Sequence, residues 1–102
     1  MKKERFFEED FEGFVQDLIG SGRYPAPKGY SSWLEYWKAQ TGINPTYCSA
    51  DNCWGTNLVG AHVQKAYSSD QRWYIVPLCV SCNNRTDTFN VNATLVPVPS
   101  NL

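Results

Sequence analysis

Apolar side chains at Phe7, Phe11, Phe14, Val15 and Leu18 recur at helical spacing, and Glu8, Glu9, Asp10, Glu12 and Asp17 fill the positions between them. This pattern predicts an amphipathic helix over about 4–19, stopped by Gly20-Ser21-Gly22. Pro25, Pro27 and Gly29 then predict a linker. Ser32-x-x-Glu35 has the form of a capping box, in which the serine accepts from a free backbone N–H and the glutamate reaches back. The helix it starts carries Trp33, Leu34, Tyr36 and Trp37 and should stop at Gly42. Its aromatic face is predicted to be core. Residues 1–42 therefore read as a helical N-terminal extension.

The pattern changes at Cys48. Two Cys pairs bracket the apolar runs Leu58-Val59-Gly60-Ala61-His62-Val63 and Trp73-Tyr74-Ile75-Val76-Pro77-Leu78. Both runs read as strands with Ser68-Ser69-Asp70 as turn material, pairing as a hairpin over about 58–64 and 73–78. A short helix is expected from Cys82 to about Thr88. Phe89, Val91, Ala93 and Leu95 then alternate with Asn90, Asn92 and Thr94 as a half-buried strand ended by Pro97 and Pro99. The whole chain, 1–102, reads as one domain: the helical extension, a module at 43–90, and a C-terminal strand and tail at 88–102.

A chain of 102 residues buries a modest core, so a metal staple would help it. No segment approaches the length of a membrane span, and no long apolar run follows Met1-Lys2-Lys3 to make a signal peptide. A cytoplasmic, reducing setting is the working expectation, and there four cysteines suit a metal better than two disulfides. Cys48-x4-Cys53 and Cys79-x2-Cys82 both have the spacing that wraps one edge of a zinc tetrahedron. Two disulfides or free thiols are the alternatives. His62, the one histidine, stands apart from both pairs, and four Cys already close a structural site, so it is not expected to be a zinc ligand.

The order of Cys pair, strand ending Gly60-Ala61-His62-Val63, strand ending Val76-Pro77-Leu78-Cys79, and helix opening Cys82-Asn83-Asn84 resembles HNH endonucleases that carry a four-cysteine structural zinc. The resemblance covers about 43–90. It implies an α+β fold, with a zinc-stabilised treble-clef (ββα-metal-like) module here preceded by two N-terminal helices. It also implies that His62 is the general base and that Asn83 holds a catalytic divalent metal. Asp87, one helical turn on, would join Asn83 on one helix face. Oxygen ligands of this kind suit magnesium or manganese. Two positions depart from the family. The residue before the base is usually a metal ligand, and here it is Ala61. The base-orienting Asn expected near Tyr74 is missing from that strand.

Apart from the resemblance, Asn83 and Asp87 fit ordinary helix-start chemistry, and His62 fits a strand-end histidine bonded to backbone. Lys65, Arg72 and Arg85 flank the site and are candidates for phosphate contacts. The net charge of −1 gives no global attraction to nucleic acid. The expected function is a zinc-binding, HNH-like domain, a weak or degenerate nuclease acting as a nucleic-acid or protein binding module. An active metal-dependent DNA endonuclease with His62 as base is the alternative.

Overall fold

The computed structural model describes residues 8–99. Four strands, β1 (Glu9–Asp17), β2 (Leu58–Lys65), β3 (Tyr74–Cys79) and β4 (Thr88–Pro97), close into an antiparallel barrel. β1 pairs with both β4 and β2, and β3 bridges β2 and β4, so each strand edge meets a partner. A helix, α1 (Trp33–Thr41), packs on the outside. The α+β treble clef with two N-terminal helices is therefore corrected to a small barrel with one helix among the described residues.

The first element carries the correction. Residues 9–17 are strand, and residues 4–7 of the expected helix lie outside the described residues. The same residues support a second periodicity: Phe11, Gly13, Val15 and Asp17 are more buried than Asp10, Glu12, Phe14 and Gln16. A helix would have carried Gly13 in its interior, at about 1 kcal/mol, with acidic side chains crowded on one face. As a strand, the segment forms an eight-position ladder with β4, from Glu9↔Leu95 to Gln16↔Thr88. Long-range pairing of this kind overrides local pattern. The first part of the expected extension, Glu9–Asp17, is thus one wall of the barrel.

The hairpin forms close to its expected limits, with Leu58 opposite Cys79 and Val63 opposite Tyr74. Alternation then divides its residues between two cores. Ala61, Val63, Tyr74, Val76 and Leu78 face the barrel interior with Val15, Phe89, Val91 and Leu95. Ile75 faces outward with Val96 beneath Trp33 and Trp37 of α1. All of β3 is buried because the barrel covers one face and α1 helps to cover the other.

Helix α1 begins and ends as its sequence requires. The Ser32 hydroxyl accepts from the Glu35 N–H at 3.1 Å, while the Glu35 carboxylate pairs with Lys38 at 3.1 Å. The Gly42 N–H donates to the Lys38 carbonyl. The two buried indoles anchor the helix: Trp37 Nε1 donates to the Thr94 carbonyl at 2.8 Å, and Trp33 Nε1 to the Tyr24 carbonyl at 2.9 Å. Gly60 allows the close approach, because a Cβ there would stand 2.5 Å from backbone atoms of Trp33 and Leu34.

Beyond β3, the expected helix to Thr88 is a single 3-10 turn at Cys82–Asn84, after which Arg85 is extended. β4, running in the barrel wall from Thr88, takes the chain away before a second helical turn can form.

Candidate metal centre and the cavities beside it

Two turns bring four thiols together. In the first, Asn52 takes a positive φ of 59°, the Cys53 N–H donates to the Ala50 carbonyl at 3.1 Å, and the Cys48 N–H donates to the Gly55 carbonyl at 2.8 Å. An Ala50↔Val91 bridge fastens this loop to β4. In the second, Cys79 ends β3 and the 3-10 turn returns Cys82 beside it, with the Arg85 N–H on the Cys82 carbonyl at 3.1 Å. The four Sγ atoms lie within 4.8 Å of one another. Cys53 and Cys79 Sγ are 3.7 Å apart and Cys53 and Cys82 Sγ 3.8 Å apart. A tetrahedron with zinc–sulfur bonds of about 2.3 Å has sulfur–sulfur edges of about 3.8 Å. A disulfide needs about 2.05 Å, and all four cysteines are free. The arrangement fits one zinc ion.

The electrostatics ask for a cation. Burial raises the Cys48 thiol, and burial with the neighbouring thiols pushes Cys82 up to about 12. Burial acts the same way on Cys79, but the Cys82 backbone N–H and the neighbouring sulfurs outweigh it and bring that thiol down to about 7. Four closely packed thiolates repel without a metal, and a bound divalent ion displaces their protons. Gly55 lies against the site: a Cβ there would come within 2.7 Å of Cys79 Cβ and 3.0 Å of its sulfur.

His62 is on the other face of β2. Its partner in register is Ile75, which faces α1. The ring packs edge-on to Trp33 at 4.7 Å and Trp73 at 6.0 Å. The residue is 2% exposed, and neither ring nitrogen has a hydrogen-bond partner. Burial lowers its pKa to about 4, so the ring is neutral at pH 7. A cleft of about 510 Å³ lies beside it, walled by Tyr24, Trp33, Trp73 and Pro99 with Arg72 also lining it. The expected histidine bonded to backbone through its side chain is not what forms.

A second cavity, of about 340 Å³, opens where β1 and β2 meet the turn at Cys82–Asn84. Asp17, Ser21, Arg23, Ala61, Asn83 and Asn84 contribute to its walls, as does His62. Alternation places the Ala61 side chain in the barrel core and turns the His62 ring to the other face, toward Trp33. Asp17, opposite Val63, shares the inner face. It is 5% exposed, its Oδ1 has no partner, and burial raises its pKa to about 7. Sequence reasoning missed Asp17 by treating it as the polar face of a helix. Its inward place in the alternation Phe11, Gly13, Val15, Asp17 was the available signal.

Other predicted residues sit differently from expectation. Asp87 does not share a helix face with Asn83. It is exposed and ion-paired with Arg85 at 2.6 Å, which holds its carboxyl below the usual range. Lys65 bonds Glu9 at 2.7 Å and Asp70 at 3.2 Å. Arg72 grips Asp70 through two nitrogens, at 3.0 and 3.1 Å. The three candidate phosphate contacts, Lys65, Arg72 and Arg85, thus all have carboxylate partners within the chain.

Among the described residues, no helix is long and apolar enough to cross a membrane. No protein-family model, no curated protein and no solved structure matches the chain.

Proposed function

We propose that this chain is a zinc-stapled binding module in which one zinc, held by Cys48, Cys53, Cys79 and Cys82, is structural and the partner is a protein. The convergence of four thiols from two separate turns, within 4.8 Å, carries the zinc reading. Four sulfur ligands close the tetrahedron and leave no position for substrate. The protein-partner reading rests on surface chemistry. Lys65, Arg72 and Arg85 are neutralised within the chain, whereas a nucleic-acid footprint needs free cations. Trp54 is 74% exposed and stacks edge-on with the half-exposed Tyr47 on the first cysteine turn, and exposed aromatic side chains of this kind are enriched at protein interfaces.

A second reading, hydrolysis of nucleic acid in the manner of the HNH endonucleases, is favoured by one observation: His62 and Asn83 border the same cavity. Against it stand the apolar packing of the His62 ring, the missing donor at Ala61 and the separate engagement of Asp87. Two measurements divide these readings. Metal analysis of purified protein should give one zinc per chain, and thiols found paired as disulfides would overturn the first reading. Plasmid incubated with magnesium, manganese or nickel should stay intact. Cleavage that disappears in His62→Ala, with zinc retained, would establish the second reading.

A further inference from the structure

The cleft beside His62 has a consistent chemistry. Tyr24, Trp33 and Trp73 line it together with Pro25, Pro99 and Arg72. The Tyr24 and Trp73 ring centroids are 6.0 Å apart and the planes are inclined at 59°, so the rings open as a V. Both side chains remain partly accessible, at 44% and 36% exposure. Their backbone carbonyls are occupied: Trp33 Nε1 donates to that of Tyr24 at 2.9 Å, and the Val98 N–H to that of Trp73 at 2.9 Å. The His62 nitrogens are enclosed. The polar groups left to a ligand are therefore donors. Asp70 takes Arg72 Nε and Nη2 and leaves Nη1. Trp73 Nε1 and the Tyr24 hydroxyl have no hydrogen-bond partner among the described residues. Tryptophan and arginine side chains donate only, and the tyrosine hydroxyl can donate. The charge in the lining is that of Arg72. Arg23, whose guanidinium lies over the Tyr24 ring at 5.3 Å, makes no ion pair among the described residues.

We propose that this cleft binds a proline-rich segment of a partner protein, in the polyproline conformation and with an acidic residue beside its prolines. Aromatic-lined grooves take such segments because the polyproline helix is preformed and loses little entropy on docking. Donor and acceptor matching selects the same occupant. An ordinary peptide brings backbone N–H groups, and burying them where the neighbouring carbonyls are already occupied is costly. Proline brings a carbonyl and no N–H, which suits Trp73 Nε1 and the Tyr24 hydroxyl. Charge sets the flanking residue: the cations at the cleft are Arg23 and Arg72, and a carboxylate complements them. A quaternary ammonium, the other common occupant of aromatic walls, would meet both arginines as a like charge. The cleft volume of about 510 Å³ is that of a site enclosing a small ligand, which suits a few residues of a segment. The proposal rests on the protein-partner reading and names the partner's chemistry, on residues other than Trp54 and Tyr47.

The test is an NMR titration of the full-length, zinc-loaded chain with a synthetic peptide of repeated Pro-Pro-Glu. The indole N–H signal of Trp73 should move with occupancy, while that of Trp37, bonded to the Thr94 carbonyl, should stay in place. Trp73→Ala and Tyr24→Ala should each weaken binding at least about tenfold, and the second variant keeps the test valid if the first fails to fold. Arg23→Gln should weaken it about threefold. A peptide with alanine in place of proline should lose binding, and one with lysine in place of glutamate should bind more weakly. No movement at millimolar Pro-Pro-Glu peptide, with zinc at one per chain, would overturn the proposal and leave the zinc reading standing. Equal binding of the alanine or the lysine peptide would also overturn it. Single-stranded oligothymidine that moves the Trp73 signal while the peptide does not would overturn both this proposal and the protein-partner reading. A chain that binds the peptide but carries no zinc would support the proposal and sink the zinc reading alone.

Discussion

The two ends of the β2–β3 hairpin handle buried polar chemistry in opposite ways. At the end bearing Leu58 and Cys79, polarity is gathered: four sulfurs converge, and the backbone of both turns is bonded to its surroundings. At the end bearing His62, polarity is scattered. His62 packs on indole rings with two unpartnered nitrogens, and Asp17, across β2, holds an unpartnered carboxylate oxygen. The first end would gain stability if a metal bound its four sulfurs. The second pays stability to keep neutral or uncompensated groups buried, a common feature of sites that act on something else. The contrast separates two kinds of chemistry: the four-thiol cluster is built so that a metal could hold it, and at the other end buried polar groups stand without partners.

The largest effect should come from breaking the gathered end. Structural zinc contributes about 10–16 kcal/mol of apparent binding free energy in small modules, as much as the whole stability of a domain, about 5–15 kcal/mol. Cys79→Ser or Cys82→Ser should therefore abolish the cooperative thermal transition followed by circular dichroism, and chelation should do the same to the native chain. A variant that keeps its native melting temperature without zinc would show that the barrel, and not the metal, holds the two turns.

The scattered end should respond to pH, and its two groups pull in opposite directions. Asp17 has a folded pKa raised to about 7 from the ordinary value near 4. Its protonated form is the one the fold favours, so it costs nothing at pH 4 and destabilises progressively up to about pH 7. The full cost is at most about 4 kcal/mol. His62 has a folded pKa lowered to about 4 from about 6.5. Its contribution is complete above about pH 6.5 and is lost toward pH 4, at most about 3 kcal/mol. In the native chain the two nearly cancel over that interval. Arg72, which lines the cleft beside His62, stays charged throughout because its hydrogen bonds to Asp70 hold its pKa above the ordinary value. Asp17→Asn should therefore expose a stability that rises from pH 4 to 6.5, and should raise the melting temperature at pH 8. His62→Gln should expose the opposite slope. Thiolate protonation is common to all three proteins, so the differences between them isolate these two groups. Parallel pH profiles would mean that neither side chain is held as described.

Legibility in the sequence divided along the same line. Local signals carried through: the ligand spacing of the four cysteines, the Ser32 cap, the Gly42 stop and the 58–64 with 73–78 hairpin are all properties of a few consecutive residues. Features that depend on distant pairing did not. The segment bearing Phe11, Phe14, Val15 and Leu18 suits a helix on spacing alone, and only β4, some eighty residues away, makes it a strand. Asn83 and Asp87 are four apart, which brings side chains together only if the helix continues, and β4 ends it after one turn. Asp17 became visible only once β1 stood beside β2.

The smallest effects come from two glycines and sharpen the contrast most directly. A Cβ on Gly55 would press on Cys79, a ligand at the gathered end, whereas a Cβ on Gly60 would press on the backbone of Trp33 and Leu34, the roof over His62. Forcing an added methyl group into such contacts costs about 1–3 kcal/mol. Neither neighbour is the free end of a flexible side chain, so each must move as a unit. Gly60→Ala should lift the start of α1, loosen the contact of Trp33 with His62 and raise the His62 pKa toward 6.5, since burial is what lowers it. An NMR titration of the imidazole would read that rise, and zinc affinity should be unchanged. Gly55→Ala should do the reverse, weakening zinc binding in a competition with a colorimetric chelator while leaving the His62 titration where it was. If either substitution moves both readouts together, the two ends are mechanically coupled through β2, and the division between a holding end and a working end fails.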